Sequence, residues 1–277
     1  MRNLQSKANV SLKEYLDKSK FSIASNGVLY RTDTVGCIPG ILDLWFQKRV
    51  EYKDEMKKHG NAGNKEKYAF YHKRQLVQKI LLNSLYGVLG LPAFRFYDVD
   101  NATAVTTTGQ TVIKSTADMA NIKYNKELGT PDLDSNIYID TDSVFFSAVP
   151  LMDKRFPNWK DEEQDTIAGY VNDIAEEMQD YLNDFYDILS KKIFNVAVDK
   201  HRLEIKKEYV AKAGLWIAKK RYAQWIISDN GVPCDKLDVK GLDVKRSSFP
   251  KAFQECMGKV LIDILKGVGE EELTAYV

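Results

Sequence analysis

Apolar positions recur along this chain first at a helical period and later at the two-residue period of strands. From Pro39 to about His59, Ile41, Leu42, Trp45, Phe46, Val50 and Tyr52 lie among charged residues as on an amphipathic helix. Gly60-Asn61-Ala62-Gly63-Asn64 interrupts the pattern, because glycine and asparagine tolerate left-handed backbone. A second helical run covers about Lys65 to Tyr86, with Leu76, Ile80 and Leu81 at helical spacing, and ends at Gly87. Two long helices joined by a short loop predict an antiparallel helical hairpin. A third helix is predicted within Asn101–Tyr124, and a long acidic one over 161–194. β-Branched and aromatic residues mark strands at Asn136–Ile139, Ser143–Phe146, Arg202–Tyr209, Leu215–Ala218 and Arg221–Ser228, with a turn at Asp229-Asn230-Gly231. Pro250 opens a final helix to about Lys266. A helical hairpin followed by antiparallel strands, without βαβ alternation, predicts an α+β fold.

Composition narrows the class. With 277 residues, 44% of them hydrophobic and 29% charged, the chain has material for a large core and for two or so compact units. A disordered or fibrous chain is excluded. No apolar run approaches the roughly 20 residues of a membrane span, so no membrane partner is expected. No apolar core of a secretory signal stands in residues 1–20. Cys37, Cys234 and Cys256 are odd in number and far apart, offering neither a disulfide framework nor a CxxC knuckle. A cytoplasmic setting is expected, that of the host cell if the protein is viral.

A net charge of +1 conceals segregation: residues 1–90 carry 16 basic and 8 acidic side chains, residues 91–200 carry 10 and 20, and residues 201–277 carry 14 and 11. Solvated faces produce such runs, and so do anion-binding arms around a cation-binding centre.

Two constellations bear on that choice. Asp140-Thr141-Asp142-Ser143 falls between two apolar strands. Its spacing fits a polar turn as well as a cation site. A carboxylate at the tip of an otherwise apolar hairpin is nonetheless well placed for a hard divalent cation such as Mg²⁺. In the helical hairpin, Lys79 and Asn83 are four apart, as are Arg49 and Lys53 on the other arm. Tyr86 continues the first face, and Gly87 admits a close approach of another backbone or a base pair. Folded together, the arms make a triphosphate clamp or a solvated lysine face.

In Lys79-x-x-x-Asn83-Ser84-x-Tyr86-Gly87 followed by Tyr138-x-Asp140-Thr141-Asp142-Ser143, the chain resembles motifs B and C of family B DNA polymerases. Lys219-Lys220-Arg221-Tyr222 is similar to that family's KKRY segment. Phe94-Arg95-Phe96-Tyr97-Asp98, Asn101-Ala102-Thr103-Ala104 and Gly241-Leu242-x-x-Lys245-x-Ser247-Ser248 resemble its T-even-like bacteriophage branch. The resemblance covers nearly the whole chain and implies a polymerase palm with an antiparallel sheet and packed helices, plus a fingers hairpin. It divides the chain into a palm segment (1–38), the fingers (39–87), the palm with motif C and KKRY (88–245) and the start of a thumb (246–277).

The resemblance also implies roles. Asp142 would be the motif C metal ligand, with Asp140 its less direct catalytic neighbour. Glu208 would be a palm carboxylate near the metals or, equally, a surface charge. Arg49, Lys53, Lys79 and Asn83 would hold the phosphates of an incoming dNTP, Lys79 also counting among the catalytic residues, and Tyr86 would line the nascent base pair. Gly87, Lys219, Lys220, Arg221 and Tyr222 would contact primer-template DNA. Two Mg²⁺ ions would serve nucleotidyl transfer. Ile139 stands where family members often have glycine. Motif A and the exonuclease have no counterpart in residues 1–24, so either a complementary polymerase polypeptide carrying them or the rest of a longer chain is expected to complete the site, and this chain alone is expected to be inactive. A DNA-binding module without catalysis and a polymerase remnant are the competing readings.

Overall fold

The computed structural model describes residues 11–245 and 248–275. Residues 1–10 of the expected palm segment, and Arg246, Ser247, Tyr276 and Val277 of the expected thumb, lie outside them. The chain divides into two compact units, residues 1–111 with 188–201, and residues 112–187 with 202–277.

The first unit starts with α1 (Leu12–Ser19), closed at its N-terminus by a capping box. Ser11 Oγ accepts from the Glu14 N–H at 3.2 Å, and the Ser11 N–H donates to Glu14 Oε2 at 3.1 Å. The short strands β1 (Phe21–Ile23) and β2 (Leu29–Arg31) form an antiparallel hairpin turned at Gly27. The Ile23 N–H donates to the Phe194 carbonyl at 3.0 Å, and Asn195 Nδ2 to the Phe21 carbonyl at 2.9 Å, which ties β1 to the 188–201 segment.

The helical hairpin follows: α2 (Cys37–Asn61) and α3 (Lys65–Leu89). Half-buried Trp45, Arg49, Tyr52, Met56 and His59 recur at alternating steps of four and three, and so do Tyr71, Gln75, Gln78, Leu82 and Leu85. That is the spacing of a two-helix seam. Its register is fixed by rings: Tyr52 meets Tyr71 at 6.3 Å and His59 stacks on Tyr71 at 5.6 Å. The predicted breaker Gly60 remains helical, and its lack of a Cβ makes room for the Tyr68 ring, 3.2 Å from where that Cβ would stand. Left-handed Gly63 makes the turn, and Asn64 caps α3 by accepting from the Lys67 N–H at 3.1 Å.

Helix α4 (Val99–Leu128) is longer than its threonines imply. Thr106, Thr107, Thr111 and Thr116 return their hydroxyls to carbonyls of the preceding turn.

In the second unit, β3 (Asn136–Asp140) and β4 (Ser143–Phe146) form a two-stranded antiparallel sheet. Next come α5 (Val149–Arg155), which the apolar pattern did not predict, and the acidic α6 (Gln164–Lys192). Ile174, Met178 and Leu182 on α6 pack with Ala120 and Tyr124 of α4 and Leu151 and Met152 of α5, the largest buried cluster of the unit. The second sheet is the meander β5 (Tyr209–Ala218), β6 (Arg221–Asp229) and β7 (Val232–Lys240). Ala223 and Val239 from this sheet bury against Leu261 and Leu265 of α7 (Lys251–Leu265), before a final short helix α8 (Glu270–Thr274).

One predicted strand is corrected. Residues 202–208 show alternating exposure but join no sheet. Main-chain groups of Ile205 and Lys207 pair with α6 side chains instead, and the Glu208 carbonyl accepts from the Asn230 N–H at 2.6 Å. Asn183 brackets Ile205, donating to its carbonyl at 3.1 Å and accepting from its N–H at 3.0 Å, and Gln179 Oε1 accepts from the Lys207 N–H at 2.9 Å. The period-two signal was real, but the partner is a helix face. Strand β7, which followed the predicted Asn230-Gly231 turn, was hidden by Pro233 and its charged residues, which suit an edge strand.

Candidate functional site

The β3–β4 turn is Thr141-Asp142, with Asp140 paired to Ser143. Thr141 sits at φ 57°, a left-handed conformation that a β-branched residue adopts at a cost. Local bonds hold it there. The Asp142 N–H donates to the Asp140 carbonyl at 2.6 Å, Ser143 Oγ to the same carbonyl at 3.0 Å, and Thr141 Oγ1 to Asp140 Oδ1 at 3.0 Å. Two adjacent carboxylates are thereby given different surroundings.

Asp140 is engaged. Lys220 Nζ donates to its carboxylate and lies 3.2 Å from Thr141 Oγ1, while the Lys220 N–H donates to Tyr138 Oη at 2.7 Å. The Lys220 ammonium, chiefly by this hydrogen bond, holds the Asp140 carboxyl below the usual range, and Asp140 raises the lysine in return. Asp142 is exposed, and its carboxylate makes no hydrogen bond or ion pair among the described residues.

The turn carrying Lys219 and Lys220 links β5 to β6, and Lys220 is itself left-handed at φ 60°. An aromatic cluster clamps this turn to the hairpin: Tyr138 lies 5.5 Å from Tyr222, and Phe145 lies 5.8 Å from Tyr222 and 6.0 Å from Trp216. Tyr222 is only 6% exposed, and burial pushes its phenol up. Its ring therefore fixes the turn, while Lys219 and Arg221 point to solvent. Gly241 makes the approach possible: a Cβ there would stand 2.0 Å from the Lys220 carbonyl. Neither Tyr222's burial nor the Lys220–Asp140 pair was legible in the sequence, since both depend on contacts between segments about 80 residues apart.

Glu208 is exposed immediately before β5. Among the described residues no three His, Cys, Asp or Glu side chains gather as a metal-ligating group, so Glu208 is not brought with Asp140 and Asp142 into one. The donor set present, one unpaired carboxylate at a turn with a second beside it, fits the part of a Mg²⁺ shell that proteins supply when substrate phosphates and water complete it.

In the first unit, Lys53, Lys79, Asn83 and Tyr86 each follow a seam residue by one position and are exposed. In an antiparallel helix pair, positions one step past the seam on both helices face the same flank. All four thus share one side of the hairpin. Arg49 lies in the seam itself, with its Nε buried and unpartnered, and Gln78 Oε1 in the seam of α3 is likewise unpartnered. Gly87, near the end of α3, is exposed, and a Cβ there would meet nothing within 4 Å.

The chain thus carries a cationic helical hairpin in its first unit and, in its second, a carboxylate-tipped β-hairpin beside a lysine-rich turn. The sequence model of DNA polymerase family B matches residues 2–155, more than half of the chain, which therefore belongs to that family. The chain is 34% identical over 217 residues to the DNA-directed DNA polymerase of Enterobacteria phage T4, covering 73% of this chain and 23% of that protein. It is 30% identical over 214 residues to that of Escherichia phage RB69, covering 68% and 22%. With the DNA polymerase of Thermococcus gorgonarius it shares 28% identity over 245 residues, or 88% of this chain and 26% of that protein. The chain thus spans about a quarter of these relatives' length. Among the described residues no helix is long and apolar enough to cross a membrane.

Proposed function

We propose that this chain is the palm–fingers portion of a DNA-directed DNA polymerase, binding an incoming dNTP on its helical hairpin and primer-template DNA at the β5–β6 turn. The observation that carries the reading is the unequal state of two neighbouring aspartates in a family B polymerase chain: Asp140 ion-paired with Lys220, Asp142 unpaired at the turn. An unpaired, exposed carboxylate beside a cationic turn suits a metal ligand near a DNA backbone. Mg²⁺ bound at Asp142 would neutralise phosphate charge and acidify the primer 3′-hydroxyl.

The chain's own residues do the rest. Lys53, Lys79 and Asn83 hold the triphosphate from one flank of the hairpin, and Arg49 adds planar donors from the seam. Tyr86, one turn beyond Asn83, offers a ring against the base pair, and Gly87 leaves room for it. Lys219 and Arg221 contact backbone phosphates, Lys220 keeps Asp140 charged and in place, and Tyr222 anchors the turn. Glu208 stands outside this set. The second set of catalytic carboxylates belongs to the remaining three quarters of the polymerase, on the same or a complementary polypeptide.

Nucleotide titration tests the hairpin half of the reading. Lys79→Ala should weaken binding of a dNTP with Mg²⁺ by about tenfold, as expected for a lost charge-assisted contact of roughly 1.5 kcal/mol. Lys126→Ala on α4 should leave it unchanged. Equal affinities in the two variants would refute the clamp.

A further inference from the structure

Charge on the helical hairpin is not spread evenly. Residues 57–74, the end of α2, the turn and the start of α3, carry six Lys or Arg against the single acid Glu66. The remainder of the two helices, residues 37–56 and 75–89, carries four of each sign. Arg49, Lys53 and Lys79 all belong to that balanced part, so the proposed phosphate clamp does not account for the excess at the tip.

Most of the tip cations also lack an ion-pair partner among the described residues. Lys58 lies 3.6 Å from Glu55, whereas Lys57, Lys65, Lys67 and Lys73 form no ion pair among the described residues. Like charges gathered without partners oppose folding. Here the tip is stiffened against them by rings. His59 stacks on Tyr71, Tyr68 stacks on His72 at 6.1 Å, and Arg74 lies 4.8 Å from the Phe70 ring centre. Two of the rings also face outward, Tyr68 being 41% and Phe70 50% exposed.

A knob of lysines, most of them unpaired, set among half-exposed aromatic rings matches one ligand chemistry. Lysines track a phosphate backbone, and rings stack on bases, which are available only when unpaired. A duplex would use the lysines and leave the rings idle, and an acidic peptide would do the same. We infer that the hairpin tip, residues 57–74, is a docking surface for an unpaired nucleic-acid strand, made by residues other than those proposed to hold primer-template DNA. It rests on the nucleic-acid part of the functional reading and not on catalysis.

The test is fluorescence anisotropy of the whole chain with a labelled oligo-dT strand, titrated between about 50 and 200 mM salt. The triple variant Lys65→Glu, Lys67→Glu, Lys73→Glu should bind at least about tenfold more weakly, with a log–log salt slope flatter by about 2, the release expected for three contacts on a single strand. Phe70→Leu keeps an apolar side chain and should lose about fivefold with its slope unchanged, as removal of a stacking face implies. All three lysines are exposed, and circular dichroism checks that the variants fold; the milder Lys→Gln triple should move both readouts the same way. Parent-like affinity and slope in the triple variant would overturn the inference. If Lys219→Ala with Arg221→Ala then weakened binding to primer-template, the primer-template reading would survive it. Polyglutamate competing as well as oligo-dT, with Phe70→Leu silent, would also overturn it, by showing a surface for acidic polymers in general. Failure of the parent chain to bind either strand or primer-template would contradict both readings.

Discussion

Lys220 adopts a left-handed backbone in order to place its ammonium on Asp140 and its N–H on Tyr138. The arrangement gives two carboxylates of one turn different partners, a distinction the spacing alone does not make. Because Asp140 is depressed in the folded chain, its contribution to stability is present above the ordinary carboxylate range and is lost as pH falls through the depressed value. Lys220→Met should return the Asp140 carboxyl toward its ordinary value of about 3.9, read by carbon-13 NMR. The same variant should lose less stability between neutral and acid pH than the parent. An unmoved Asp140 titration would show that Thr141 and the turn, not the lysine, set its charge. The DxD spacing revealed that carboxylates stand at a hairpin tip; which of them is paired was invisible, because Lys220 lies 80 residues away.

At the scale of elements, the helical hairpin was legible as two helices and a Gly/Asn turn, but its seam was not: Leu76, Ile80 and Leu81, read at helical spacing, are exposed, and the seam of α3 runs through Tyr71, Gln75, Gln78, Leu82 and Leu85. Arg49 shows where legibility stops. The four-residue step to Lys53 reads as a shared exposed face, yet Arg49 is a seam position and its Nε is buried. Gln78 Oε1 is the other orphan in that seam, and an unsatisfied buried acceptor costs on the order of 1–3 kcal/mol. Gln78→Leu should therefore stabilise the chain by about 1 kcal/mol in urea unfolding. A loss of stability would mean that the amide is satisfied in solution. Gly241 plays the opposite part in the β5–β6 region. Its φ of 61° and the 2.0 Å approach of the Lys220 carbonyl leave no place for a Cβ. Gly241→Ala should cost about 1–3 kcal/mol from left-handed backbone alone, and more from the clash, and should free Lys220 from Asp140. A thermal melt unchanged from the parent would contradict that packing. The misread segment 202–208 has the same lesson: alternation records which side chains face inward, not whether a strand or the amides of Asn183 and Gln179 complete the backbone.

For the whole molecule, the chain belongs to DNA polymerase family B and spans only about a quarter of its relatives' length, and the proposed function assigns the cationic hairpin and the carboxylate turn to one activity. Motif order made that family legible from the sequence. The remaining carboxylates of the proposed site were not, because no second motif in the sequence marks them. The most direct measurement is primer extension with Mg²⁺ and dNTPs, comparing this chain alone, this chain with a polypeptide carrying the complementary catalytic carboxylates, and the same mixture with Asp142→Ala. Template-directed extension is expected only in the mixture and should fall by at least about a thousandfold when Asp142 is lost, a barrier increase of about 4 kcal/mol. Extension by this chain alone, or by the mixture despite Asp142→Ala, would contradict the account.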